Sequence, residues 1–274
     1  MAHCVSAEAE KILDKEFPVL DKGFIRLVDY LGSDERVVQA ARVSYGEGTK
    51  SCRENAGLID YLLRNRHTSP FEQVVFTFHI KMPVFVARQW VRHRTARLNE
   101  VSGRYSVMKD EFYLPAAEDI SVQSVDNKQG RNTAPLPPVE AEAVRASFAE
   151  GQRRDYSDYN KLIEAGLARE LARINLPLSL YTEIYWQIDL HNLFHFLELR
   201  LGAHAQKEIR LYAQKLLEIC RKAAPLCCES FERHVLGAVI FSKDEVAELK
   251  RRLSGEGECV LDERALARFE EKLK

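Results

Sequence analysis

A domain that mixes helices with strands is what this 274-residue sequence predicts, and three observations carry the prediction. Val74, Phe76, Phe78 and Ile80 alternate with more polar neighbours over Gln73 to Lys81, the period-two signature of a half-buried strand. Residues 24–31 and Leu180 to Ile188 share its enrichment in β-branched and aromatic side chains. Between and after these segments run longer stretches whose apolar residues recur at helical spacing.

Taken in order, the first strand occupies 24–31, with Gly23 and Gly32 beside its ends. Ser33-Asp34 then reads as the N-cap of a helix through Arg42. Residues 53–66 suit an amphipathic helix, with Leu58, Tyr61 and Leu62 on one face, and Pro70 separates it from the second strand. Pro83 fits the first turn of a helix running from Val84 to about Arg94. In such a helix Arg88 and Arg92 share a face and Gln89 and His93 form the next row; the chain then turns through a loop from Asn99 to Tyr105. Residues 115–138, rich in Ser, Gln, Asn, Gly and Pro, read as a mobile loop. Pro138 to Ala165 is a long charged helix with Gly166 as its C-cap. A short helix follows to Leu176-Pro177, then the third strand, then helices over Asp189–Leu201 and Ala203 to about Ala224. The last forty or so residues carry two charged helical patterns around Ser254-Gly255-Glu256-Gly257.

A net charge of −1 argues against coating nucleic acid by bulk charge. No apolar run is long enough to span a membrane, and Met1 to Phe17 lacks the basic start and apolar block of a secretory signal. The six cysteines, Cys4, Cys52, Cys220, Cys227, Cys228 and Cys259, follow no CxxC spacing and read as free thiols of a reducing cytosol, so a cytoplasmic location is expected. The adjacent pair Cys227-Cys228 leaves zinc or redox use open.

Against this neutral background the stretch from Arg92 to Ser106 holds four arginines, a histidine, a carboxylate and two serines. Arginine grips planar anions through paired hydrogen bonds. The following Ser102-Gly103-Arg104 turn offers backbone N–H groups for an anion-binding nest. A phosphate-bearing ligand is the reading this supports. A solvated, salt-bridged helix face is the ordinary alternative, and nucleic-acid binding, with Trp90 and Tyr105 stacking on bases, is another. His191, His195 and Glu198 share one helix face at i, i+4 and i+7, a spacing that could hold a divalent metal, although the HExxH pattern is absent. Ser102 lacks the G-x-S-x-G setting of a nucleophile.

Arg92-His93-Arg94, seven residues, then Ser102 resembles the signature of the flavin-dependent thymidylate synthases. Further segments agree in order: Ala41-Arg42-Val43-Ser44, His67-Thr68-Ser69-Pro70-Phe71-Glu72, Phe85-Val86-Ala87-Arg88-Gln89-Trp90, Ala172-Arg173-Ile174-Asn175-Leu176-Pro177, Leu199-Arg200 and His204-Ala205-Gln206. Arg97 departs from the family, which commonly has a small residue there. The resemblance covers about residues 20–230 of a single domain spanning 1–274, with an N-terminal extension 1–19 and a helical extension 231–274 outside it.

The resemblance implies an α+β fold, a mainly antiparallel sheet flanked by long helices, in a homotetramer whose active sites combine residues of different subunits. It implies conversion of dUMP to dTMP, with methylenetetrahydrofolate as carbon donor and NADPH as reductant of bound FAD, and no nucleic-acid or membrane partner. The roles it carries over are flavin contacts for Ser69, Arg92, His93, Arg94, Glu100, Asp189, Leu190, His191 and His195. Contacts to dUMP fall to Gln89, Trp90, Val91, Arg92, Glu100, Val101, Ser102, Gly103, Arg104, Arg173 and Arg200. Arg200 is the catalytic candidate, a cation that stabilises charge on the pyrimidine as its N3 proton leaves. No metal is expected. The competing reading is a protein that binds nucleotide or nucleic-acid phosphate without this catalysis.

Overall fold

The computed structural model describes residues 4–43, 55–125, 129–255 and 257–273. Ser44, Cys52 and the first two residues of the helix expected over 53–66 lie outside them. Five antiparallel strands form one sheet in the order β1-β2-β3-β5-β4: β1 (Glu16–Val19), β2 (Gly23–Leu31), β3 (Val75–Pro83), β4 (Arg97–Glu100) and β5 (Tyr181–Asp189). Together with the helices this gives the expected α+β class.

Alternation decides which face of the sheet is dry. On β3 Phe76, Phe78 and Ile80 are fully buried, while Val75, Thr77 and His79 on the other face are partly exposed. Thr182, Ile184, Trp186 and Ile188 of β5 continue the buried face. Two helices cover it, α7 (Leu190–Leu201) and α8 (Lys207–Ala223). The buried residues of α8, among them Ile209, Tyr212, Ala213, Leu216 and Cys220, recur at the three- and four-residue spacing of an amphipathic helix. Gly23 lets α8 come close. A Cβ there would lie 2.1 Å from the Tyr212 hydroxyl, which donates to the Lys81 carbonyl across 2.7 Å.

The remaining helices of this unit are α1 (Ala7–Glu10), α2 (Asp34–Arg42), α3 (Asn55–Arg64), α4 (Val84–Trp90), α5 (Pro138–Glu164), α6 (Arg169–Ala172) and α9 (Pro225–Phe231). Ser33 stands at the N-cap of α2 as expected, but its side chain makes no capping bond. The next residue, Asp34, accepts from the backbone N–H groups of Leu226 and Cys227 at 2.9 Å and so caps α9. Gly166, at φ +82°, closes α5.

Three expectations need correction. The helix expected to reach Arg94 ends at Trp90, and Arg92 and His93 follow in a tighter turn whose N–H groups bond to Gln89 and Trp90. That turn returns the chain to the sheet edge, where Arg97 pairs with Gln187, so part of the expected loop is strand β4. The four β4 residues are all exposed, which left no alternation to read. The described part of 115–138 is tied down, not loose. A bridge joins Gln123 to Arg131, Ser121 donates to the Asn132 carbonyl at 2.7 Å, and Arg131 bonds both the Asp119 carbonyl and Glu208. Polar composition hid these bonds because they join the two ends of the segment to each other and, through Arg131, to distant Glu208, and no local pattern marks either.

Contacts divide the chain into two compact units, Met1–Phe231 and Glu232–Lys274. The second holds α10 (Lys243–Ser254), opened by a Ser242/Glu245 capping box and closed by Gly255 at φ +73°, and α11 (Glu263–Lys272). Within it Glu248 is fully buried and paired with Arg251 and Arg252, which hold its carboxyl well below the usual range. Lys272 pairs with Glu245 in the same way at 2.7 Å.

Candidate active site

The sequence-predicted residues fall into two sets with separate supports. The first stands where the exit turn of α4 meets the C-terminal end of α7. Arg200 Nε donates to His93 Nε2 across 3.0 Å, and its Nη2 reaches the Gln89 carbonyl at 3.5 Å. The other edge of the guanidinium has no partner among the described residues. Phe196 packs against the His93 ring at 4.7 Å between centroids, and His195 stands 6.2 Å away. Gln89 is bonded through its side chain to Gln206.

Burial pushes the His93 pKa down to about 4, helped by the charges of Arg200 and His195. The ring is therefore neutral at neutral pH, with its proton on Nδ1 if Nε2 accepts from Arg200. Burial also lowers Arg200, which stays a cation at any working pH. Between about pH 6.5 and about pH 4 the unfolded chain takes up a proton that the folded ring refuses, so His93 removes stability as pH falls through that window. The thermal midpoint of the wild type should accordingly drop more steeply over this range than that of His93→Gln. Parallel curves for the two proteins would show that His93 titrates normally.

Around this pair Arg88, Arg92, Arg94 and Arg97 are all exposed, and none of their side chains makes a hydrogen bond or ion pair among the described residues. Surface arginines on a neutral protein ordinarily find carboxylates, as Arg131, Arg145 and Arg251 do here. Four neighbouring arginines left open make a strongly anion-attracting surface.

The second set lies at the other end of the β4 hairpin edge. Glu100 accepts from Thr182 Oγ1 at 2.6 Å, and the Val101 N–H bonds to the Glu183 carbonyl. Gly103 is buried against Arg173. A Cβ there would come within 3.0 Å of Arg173 Cδ and 2.9 Å of Met108 Sδ. Its value is close approach, since its φ is not in the left-handed region. Glu100, Val101, Gly103, Arg173 and Thr182 line a cleft of about 190 Å³. Arg104 pairs with Glu170 at 2.9 Å, but both are exposed, so a ligand phosphate can take Arg104 at small cost.

Four readings from the sequence are revised at this level. Trp90 is fully buried, its indole packed on Trp186, Phe196 and Tyr212 at 5.1, 4.6 and 6.0 Å, so its side chain builds the floor of the site and does not meet a ligand. Leu190 is also fully buried and its N–H goes to the Val74 carbonyl at 2.8 Å, so neither its side chain nor its N–H is open. The backbone nest is narrowed, because the Arg104 N–H is spent on Ser102 Oγ, while the Ser102 and Gly103 N–H groups make no hydrogen bond among the described residues. Arg92 and His93 extend from a turn, as described above, instead of from a helix face.

Ser69, exposed, stands at the start of a 3-10 segment packed beside α7. Asp189 caps α7, accepting from Asn192 N–H at 2.9 Å and from its side-chain amide at 2.7 Å. His191 and His195 follow along the helix, and Arg200 lies about 15 Å further on than Leu190. An elongated anionic cofactor fits this row, with open arginines and histidine N–H donors along it. Among the described residues no group of three His, Cys, Asp or Glu is placed to hold a metal ion. Thr182, which holds Glu100, was missed, and Gln206, which holds Gln89, was quoted within a motif but given no role. Each supports a site residue from far away in sequence, and no local pattern announces that.

Residues 26–226 match the family model described as thymidylate synthase complementing protein. Residues 239–274 match a second model, the thymidylate synthase ThyX C-terminal domain, although that tail carries none of the motifs quoted above. A flavin-dependent thymidylate synthase of Treponema denticola is 63% identical over 96% of this chain and 98% of its own length. One from Treponema pallidum is 59% identical over 100% of this chain and 90% of its own. One from Thermus thermophilus is 56% identical over 87% of this chain and 86% of its own. Among solved structures, the UMP/dUMP methylase PolB of Streptomyces cacaoi bound with 5-Br UMP superposes with a TM-score of 0.71 at 33% identity, over 79% of this chain and 96% of that one.

Proposed function

The chain belongs to the family of flavin-dependent thymidylate synthases, and on that footing we propose how its two residue sets divide the work. The reaction is the reductive methylation of dUMP to dTMP, with methylenetetrahydrofolate as carbon donor and NADPH as reductant. FAD, when bound, supplies the hydride that completes the methyl group.

The open arginines carry the reading. Arg92 and Arg94 hold the anionic part of the flavin, with Ser69, His191 and His195 along its length. Gln89 and the unpartnered edge of Arg200 meet the pyrimidine. There Arg200 stabilises the negative charge that develops as the N3 proton leaves, and this raises the nucleophilicity of the ring carbon that takes the methylene group. Ser102, Arg104 and Arg173 hold the nucleotide phosphate, and Glu100 is held ready by Thr182 beside them.

Each set is half a site. The chain assembles as a homotetramer in which the Arg200 set of one subunit faces the Arg173 set of another, as a closed symmetric assembly allows. The enzyme acts in the cytoplasm; among the described residues no helix is long and apolar enough to cross a membrane. Purified protein should be yellow with a flavin spectrum and should form dTMP from dUMP when given both co-substrates. Colourless protein that takes up no added flavin would remove the reading in favour of a phosphate-binding protein without catalysis.

A further inference from the structure

We propose that His93 is the positioning residue of Arg200, its Nε2 accepting the Arg200 Nε–H so that the free edge of the guanidinium is aimed at the pyrimidine. The inference rests on the reading of Arg200 as the charge stabiliser and adds to the flavin contact that the family resemblance gives His93.

The geometry is specific. Two acceptors from the same exit turn, His93 Nε2 and the Gln89 carbonyl, take one N–H each from the Nε and Nη2 side of Arg200. A guanidinium is planar, so fixing that side fixes the direction of the opposite one. The imidazole is itself clamped, with Phe196 against it and the backbone N–H of residue 93 bonded to the Trp90 carbonyl at 3.0 Å. Acceptance requires an uncharged ring. Burial, then Arg200 and His195 facing it from α7, disfavour its protonation; Arg92 and Arg94 flank it in the chain. A histidine serving the flavin alone has no need of the Arg200 contact.

The test compares His93→Leu, which has no acceptor, with His93→Gln, whose Oε1 falls near the place of Nε2. For each, bound flavin, NADPH-driven flavin reduction and anaerobic dTMP formation are measured together. His93→Leu should lower the rate of dTMP formation relative to the rate of flavin reduction by roughly ten- to a hundredfold, the cost of a misplaced group, through kcat and not through KM for dUMP. His93→Gln should recover most of that ratio. Should His93→Leu lose its flavin, the same comparison runs between His93→Gln and His93→Asn, whose amide falls short of Arg200, and the Asn variant alone should be uncoupled. Losses that strike flavin reduction and dTMP formation in proportion would overturn the proposal and leave a flavin contact only. So would an unimpaired His93→Leu beside an impaired Arg200→Ala. An Arg200→Ala enzyme with normal turnover would instead bring down the reading on which the proposal stands.

Discussion

Arg200→Ala should lose two to three decades of dTMP formation, roughly the cost of removing one preorganised charge stabiliser, while keeping its flavin and its reduction by NADPH. Among the described residues its side chain hydrogen-bonds only to His93 and the Gln89 carbonyl, at the end of α7. Its removal therefore takes little packing with it. Anaerobic dTMP formation and stopped-flow flavin reduction, measured on the same preparation, separate the two half-reactions. Near-normal product formation would mean that the charge on the pyrimidine is met by another group.

Trp90→Ala should destabilise the fold by roughly 3–5 kcal/mol, the range for truncating a large buried aromatic side chain. The indole is fully buried among Trp186, Phe196 and Tyr212, and its Nε1 has no hydrogen-bond partner among the described residues, so the cost is one of packing. Phe196 touches both Trp90 and His93, which places the cavity directly beneath the Arg200 contact. Turnover should fall along with stability. Denaturant melts at one fixed protein concentration, followed through the remaining Trp186, give the loss. A change under about 1 kcal/mol would show that the site relaxes around the missing ring.

The strands that could be read in the sequence were those with a wet and a dry face. Val74, Phe76, Phe78 and Ile80 announced β3, and every one of them is fully buried. β4 was illegible because its residues are all exposed and its existence depends on pairing with β5. β1 and α9 were illegible for a related reason. Each is short, and α9 depends on Asp34, nearly two hundred residues earlier, for its cap. For the site, the arginine cluster was legible as chemistry, since residue type and spacing survive in the sequence. Its supports were not. That Trp90 points inward while Gln89 and Val91 beside it are at the surface depends on where α4 lies on the sheet. The turn at Ser102 shows the same limit: Ser-Gly-Arg can offer three N–H groups, and here that of Arg104 is spent within the loop.

Complementation tests most directly the proposal that the two half-sites meet between subunits. Arg200→Ala disables one set and Arg173→Ala the other, so each homotetramer should be nearly inactive. Co-expressed in equal amounts, the two chains should recover roughly a quarter of wild-type turnover, since each site then draws both intact sets with independent odds of one half. Turnover of the mixture no higher than that of the two variants measured separately would contradict the shared site and place both arginines in one subunit's own active centre.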